Sequence, residues 1–360
     1  MKELREIIKK IESSPSEEKL LLATVVEVVG SSYRLPGAKM LIDANDNTFG
    51  MISGGCLEAD ILERSKELRE KGKPILFLYD TTKDDDSIFS LNMGCKGVIR
   101  IFLEPINKNS TLFNTLKNLI KQRKKVSTAT VVSSTNEALV GKRLFYDGDS
   151  FFGDLASEEL KKELIDLFLR NQKSELKRLE QLQSEIFFEK ILPPLKLVIF
   201  GAGYDAIPLA EIAHSIGWSV SIVDHRPAFA NKERFPFADE IFVSRAETFS
   251  DDILRGENIA CVIMTHNYEQ DRVILLRALN ADCFYIGLLG PRKRAEKLLE
   301  KSGINLLEKI NRLYSPVGLD IGATTPETIA LSIIAEIEAV SNGRNGGFLR
   351  NRQGSIYARS

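Results

Sequence analysis

The residues best suited to chemistry in this 360-residue chain are Gly50-Met-Ile-Ser-Gly-Gly-Cys-Leu-Glu58. Leu57, Ile61 and Leu68 recur at helical spacing, which predicts a helix beginning beside Cys56. A thiol there meets unpaired N–H groups and the positive end of the helix dipole, and both favour the thiolate. Gly54 and Gly55 have no side chain to cover the sulfur and tolerate positive φ. Ser53, Gly54, Gly55 and Cys56 form one candidate site, against the reading of a small half-buried cysteine packed under a turn. A second cysteine stands in Gly94-Cys95-Lys96-Gly97, flanked by glycines and a cation. Two exposed thiols in separate glycine loops can face one site.

An internal comparison sharpens the first loop. Residues 23–68 and 129–167 read as two copies of one unit: Ala23-Thr-Val-Val26 answers Ala129-Thr-Val-Val132, Gly37 and Asp43 answer Gly141 and Asp147, and Gly50 and Leu57 answer Gly153 and Leu160. Where the first copy has Ser53-Gly-Gly-Cys56, the second has Ala156-Ser-Glu-Glu159. The scaffold therefore closes without the cysteine, which points to function rather than folding.

The elements that must position these residues belong to an ordinary globular chain. Charged residues make up 28% and hydrophobic ones 43%, with a net charge of −1, which gives no electrostatic case for nucleic acid or an anionic membrane. No run approaches the roughly 20 apolar residues of a membrane span, and the charged N-terminus has no apolar signal core. Four cysteines without Cys-x-x-Cys spacing imply reduced thiols and a cytoplasmic setting. The three histidines, 214, 225 and 266, are too scattered for a His-rich metal site.

The C-terminal half carries a dinucleotide-type fingerprint. Strand Lys196–Phe200 runs into Gly201-Ala-Gly203-Tyr204-Asp-Ala206, then a helix ended by Gly217, then strand Ser219–Val223 closing on Asp224. Gly201 allows the turn, Gly203 lets backbone approach a phosphate, and the helix N-terminus offers N–H groups to an anion. Asp224 is placed to bond a ribose-like hydroxyl pair. Further strands end at Thr265-His266 and before Arg292-Lys-Arg294, so these residues share the crevice face, as does the compact loop Gly318–Gly322 around Asp320. Cys261 and Cys283 lie inside apolar strands and read as inert core.

The combination resembles the XdhC/CoxI family of xanthine dehydrogenase accessory proteins. The resemblance rests on Val29–Gly37, Ile52–Glu58, Gly94–Gly97 through Glu104-Pro105, Gly201-Ala-Gly203, Thr265-His266, Tyr285–Gly290 and Pro316–Gly322. It implies a factor that binds molybdenum cofactor, a pterin dithiolene phosphate. Such a factor promotes sulfuration of the cofactor with a cysteine desulfurase and delivers it to a xanthine dehydrogenase-type apoenzyme. It also implies that Cys56 and Cys95 match the family's cysteine loops, and a thiophilic metal suits thiolate ligands there. The cofactor phosphate is expected at Gly201–Ala206, aided by Arg292 or Arg294. Many members have His where this chain has Tyr204, and Ser where it has Pro291.

The expected architecture is α/β. An N-terminal α+β domain with an imperfect internal duplication spans 1–158, a helical linker 159–192, a Rossmann-like parallel sheet 193–342, and a basic glycine-rich tail 343–360. A homodimer is expected through the linker helices. The expected role is a cofactor carrier rather than a catalyst. Two alternatives stand beside it: an NAD(P)-dependent oxidoreductase with His266 or Tyr204 as proton donor, and a nucleotide-binding scaffold or sensor.

Overall fold

Period-two apolar patterns build the first half, and continuous apolar runs build the second. A computed structural model describes residues 2–30, 32–55, 57–80, 97–155, 158–170, 174–180, 183–300 and 310–353, so Cys56, Gly94 and Cys95 lie outside the described residues. The chain divides into two compact units, Glu3–Leu192 and Pro193–Ser360, the latter joined by the first two residues.

The first unit is one motif used twice. Helix α1 (Lys2–Ser13) precedes β1 (Leu20–Gly30), β2 (Lys39–Ile42) and β3 (Thr48–Gly50), then α2 (Glu58–Lys71), β4 (Ile75–Asp80) and β5 (Gly97–Ile106). The second copy is α3 (Thr111–Gln122), β6 (Val126–Ser134), β7 (Arg143–Tyr146), β8 (Phe151–Gly153), α4 (Glu158–Arg170), β9 (Glu175–Leu179) and β10 (Ser184–Ile191). The sheets run β3-β2-β1-β5-β4 and β8-β7-β6-β10-β9, antiparallel throughout. The duplication legible over 23–68 and 129–167 thus extends across the whole unit.

Repeated glycines explain the repeat's spacing. A Cβ on Gly50 would lie 2.5 Å from the Lys39 carbonyl oxygen, and one on Gly153 would lie 2.2 Å from that of Arg143. Both glycines have positive φ, so the short β2–β3 and β7–β8 hairpins require them. Asp43 and Asp147 each accept backbone N–H bonds from residues two ahead, closing the same turn in both copies.

The copies meet through equivalent residues. Val26, Phe102, Val132 and Phe187 form one buried cluster, each copy giving a valine and a phenylalanine. Around it, Lys39 pairs with Glu189, and Arg143 pairs with Glu104. By strand register Lys39 corresponds to Arg143 and Glu104 to Glu189, so the two ion pairs are reciprocal.

The expected helical linker is corrected here. Residues 159–192 are helical only through Arg170, and β9 and β10 then complete the second sheet, with β10 in register against both β6 and β9. Its charged residues misled the reading: Glu185 and Glu189 face cations of the other copy, Arg100 and Lys39, rather than solvent.

The second unit is a six-stranded parallel sheet in the order β13-β12-β11-β14-β15-β16. Its elements are β11 (Lys196–Phe200), α5 (Ala206–Ser215), β12 (Ser219–Asp224), β13 (Glu240–Val243), β14 (Ile259–Ile263), α6 (Tyr268–Leu279), β15 (Tyr285–Leu288), α7 (Arg292–Glu300), β16 (Leu313–Tyr314) and α8 (Pro326–Ser341). The central strands are buried on both faces, as parallel strands between helix layers must be. Cys261 and Cys283 are buried there, and burial pushes the Cys283 thiol up to about 12. Among the described residues, no helix is long and apolar enough to cross a membrane.

Candidate functional site

The loop before α2 is held by one serine–glutamate exchange. Ser53 Oγ accepts from the Gly55 and Leu57 N–H groups at 3.2 and 3.1 Å and donates to Glu58. Glu58 Oε1 in turn accepts from the N–H groups of Ser53 at 2.8 Å and Ile52 at 3.2 Å. Gly55 has φ +106°, and nothing lies within 4 Å of where its Cβ would be, so the loop is open on that side. A Cβ on Gly54 would lie 3.7 Å from the Tyr33 ring. Helix α2 starts at Glu58, as the apolar spacing predicts, with Leu57, Ile61 and Leu68 buried beneath it. Glu58 and Asp60 add negative charge to its first turn, which opposes a nearby thiolate, although Arg64 pairs with Asp60 at 2.6 Å. Gly97, the residue that follows the Cys95 loop, pairs with Gly30 at the end of β1, whose chain leads on to Tyr33.

The second glycine loop lies at the carboxyl end of the parallel sheet. Gly201 has φ +111°, and a Cβ there would lie 2.4 Å from the Met264 carbonyl oxygen and 3.0 Å from Thr265 Cα. The loops after β11 and β14 therefore touch, and only glycine fits between them. Helix α5 follows with no side-chain cap and no acid in its first turn, and Ala206 is fully buried against the sheet. Phe200, Gly201, Asp224, His225, Thr265 and Gln270 line a crevice there.

Asp224 stands where expected but serves the protein itself. Its carboxylate accepts from the Ala202 N–H at 2.8 Å, the Arg226 N–H at 2.9 Å, and Arg226 Nε and Nη2 at 3.0 and 2.7 Å. Those four donors match the four lone-pair directions of a carboxylate. Burial alone would raise this carboxyl, but the bonds from Arg226 and Ala202 outweigh it and hold it below the usual range.

The remaining expected residues divide. His266 takes the left-handed conformation, φ +57°, and its Nε2 lies 2.7 Å from Asp205 Oδ2, at the start of α5. A non-glycine residue held this way carries strain that sites commonly use. Arg294 is turned inward to Asp271 at 2.6 Å, and Asp271 also accepts from Thr265 Oγ1 at 2.5 Å. Arg292 and Asp320 are exposed on the first turn of α7 and in the loop before α8. That loop is pinned by Glu336, which accepts from the Gly318 N–H at 2.9 Å and from the buried Tyr285 hydroxyl.

The sequence reading missed Arg226, Phe229 and Arg234. Arg226 lies 4.1 Å from the Phe229 ring centre, Arg234 lies 4.9 Å from the same ring, and Arg234 lies 4.8 Å from the ring of Tyr204. The available signal was basic residues interleaved with an aromatic directly after the strand that ends at Asp224.

Comparisons with known proteins agree with this anatomy. The XdhC Rossmann domain model matches residues 197–337, and the XdhC and CoxI family model matches residues 15–80. A protein of Bacillus subtilis (strain 168), named as a probable xanthine dehydrogenase subunit, is 32% identical, covering 89% of this chain and 93% of its own length. The molybdenum cofactor insertion chaperone PaoD of Escherichia coli (strain K12) is 24% identical, covering 92% and 86%. A crystal structure from Bacillus halodurans, described as a xanthine dehydrogenase, matches with a TM-score of 0.77 at 30% identity over 96% of this chain and 97% of that one. Identity and coverage of this extent place the chain in the XdhC and CoxI family.

Proposed function

We propose that this protein is an accessory factor that binds molybdenum cofactor, supports its sulfuration with a cysteine desulfurase, and inserts it into a xanthine dehydrogenase-type apoenzyme. The observation that carries the reading is the glycine loop Gly201–Ala206 at the carboxyl end of the parallel sheet. A glycine turn that admits no Cβ at Gly201 leads into a helix whose N-cap, Asp205, makes no capping bond and is paired with His266, and Arg234 lies over the Tyr204 ring of the same loop. That arrangement suits the phosphate of a pterin phosphate. Relatives named as a molybdenum cofactor insertion chaperone and as a probable xanthine dehydrogenase subunit support it.

Among the described residues, no group of three His, Cys, Asp or Glu side chains is placed to hold a metal ion. The metal end of the proposal therefore rests on Cys56 and Cys95. The residues flanking position 56 favour it, since Ser53 and Glu58 bond to each other and to the loop backbone while Gly55 has nothing within 4 Å of its Cβ position. The occupied carboxylate of Asp224 argues against NAD(P), whose ribose would need that acceptor.

The test is delivery. The full-length protein, loaded anaerobically with molybdenum cofactor, is incubated with a cofactor-free xanthine dehydrogenase-type enzyme, and the activity that appears is measured. Wild type is expected to activate the enzyme and Cys56→Ala to fail while keeping its melting curve. Delivery by Cys56→Ala at the wild-type rate would sink the role of this loop, and no delivery by wild type would sink the proposal.

A further inference from the structure

A run of stacked side chains ends in the open beside the second glycine loop. Asp224 holds the Arg226 guanidinium through two hydrogen bonds, Arg226 lies on Phe229, Phe229 carries Arg234, and Arg234 lies on the ring of Tyr204. Each layer is a cation on an aromatic face, which is attractive and geometrically restrictive. The run stops at Tyr204, which is 75% exposed although it stands between Gly203 and Asp205, the residue before α5. One face of the ring is taken by Arg234. A large aromatic fixed on one side and open on the other is a surface made for a flat partner.

The charges along the run point to what that partner carries. Arg226 is neutralised by Asp224. Arg234 is not neutralised: among the described residues no carboxylate lies within ion-pair distance of it, and its guanidinium donates to the Ala202 carbonyl oxygen at 3.3 Å. Its Nε is buried without a hydrogen-bond partner. A partly buried guanidinium with no counter-charge is costly to the free protein and is relieved by an anion from outside.

We infer that Tyr204 is the stacking platform for the ring of a pterin phosphate, with Arg234 supplying the counter-charge for its phosphate from behind the ring. This rests on the Gly201–Ala206 loop being the phosphate end of the cofactor site, and it assigns the ring-binding residue on that loop. Stacking on one aromatic side chain is worth about tenfold in affinity for a flat heterocycle, and Phe supplies it as well as Tyr. The guanidinium acts on the phosphate and not on the ring, so the two contributions separate by readout.

The experiment titrates the full-length protein with a 6-alkylpterin phosphate and follows pterin fluorescence, with AMP as competitor. Wild type and Tyr204→Phe are expected to bind and quench the ring emission. Tyr204→Ala should bind roughly tenfold more weakly and lose the quench. Arg234→Gln should weaken binding while the bound fraction still quenches, and an unchanged melting curve shows each variant folded. Binding and quenching by Tyr204→Ala at the wild-type level would overturn the platform and leave the cofactor reading standing. A wild type that binds no pterin phosphate would overturn both. Preference for AMP with the same dependence on Tyr204 would keep a platform but overturn its assignment to a pterin.

Discussion

Substituting Glu104→Gln tests how the two copies of the first unit hold together. Glu104 and Arg143 are 7% and 11% exposed at the side chain, and each comes from a different copy. The substitution keeps the shape of the side chain and removes its charge, leaving a buried guanidinium whose other bond is to the Gly141 carbonyl oxygen at 2.9 Å. Breaking a buried pair from one side costs about 3–5 kcal/mol, because the remaining charge stays desolvated. At about 2–4 °C per kcal/mol for a domain of this size, the melting temperature of the unit should fall by about 6–20 °C. The reciprocal variant Glu189→Gln should cost a similar amount. The double variant Glu104→Leu/Arg143→Leu should recover most of the loss, since an apolar pair leaves no stranded charge. Lys73→Ala serves as the surface control: its pair with Glu137 is 76% and 81% exposed, and the change should stay within about 0.5 kcal/mol. The assay is thermal unfolding followed by circular dichroism, because the single tryptophan, Trp218, lies in the other unit. A Glu104→Gln midpoint indistinguishable from wild type would refute the reasoning that these charges are desolvated and reciprocal.

Three further outcomes follow from the geometry. Gly201→Ala places a Cβ 2.4 Å from the Met264 carbonyl oxygen at φ +111°, so it should destabilise the second unit by more than about 1 kcal/mol and weaken binding at the crevice, as read by Trp218 fluorescence during unfolding and by pterin phosphate titration. Burial alone would raise the Asp43 carboxyl, but bonds from Asn47 and Lys10 outweigh it and lower it to about 2. Its contribution is therefore present above the ordinary 3.8 and lost as pH falls toward 2, and Asp43→Asn should flatten the stability profile in that window. Ser53→Ala removes two acceptor bonds and one donor bond from the loop before α2, at a cost of about 1–3 kcal/mol, and should slow alkylation of Cys56 at pH 7. Labelling at the wild-type rate would show that this loop does not tune the thiol.

Local chemistry made much of this protein legible from its sequence. Gly201-Ala-Gly203 between a strand and a helix reads as a tight glycine turn, and the structure gives the reason for Gly201 in Met264 and Thr265. The repeated Gly37, Gly50 and Asp43 with their counterparts were visible because each fixes a turn. What failed depended on partners distant in sequence. Glu185 and Glu189 look like solvated charges on a Lys/Glu/Leu-rich helix, but the cations of the other copy that they face, Arg100 and Lys39, stand at least 85 residues away, with only Arg178 near Glu185 in sequence. Asp224 was expected to await a ligand because nothing local says that Arg226 folds back onto it. Arg234 was passed over because its role comes from lying between Phe229 and Tyr204, a relation that residue spacing does not express.

The most direct test of the account is an anaerobic titration of the purified wild-type protein with molybdenum cofactor, scored by molybdenum and pterin retained per chain after desalting, with Cys56→Ala and Tyr204→Ala in parallel. Wild type is expected to retain both stoichiometrically, Cys56→Ala to lose molybdenum, and Tyr204→Ala to retain pterin more weakly. A wild type that retains neither molybdenum nor pterin would contradict it.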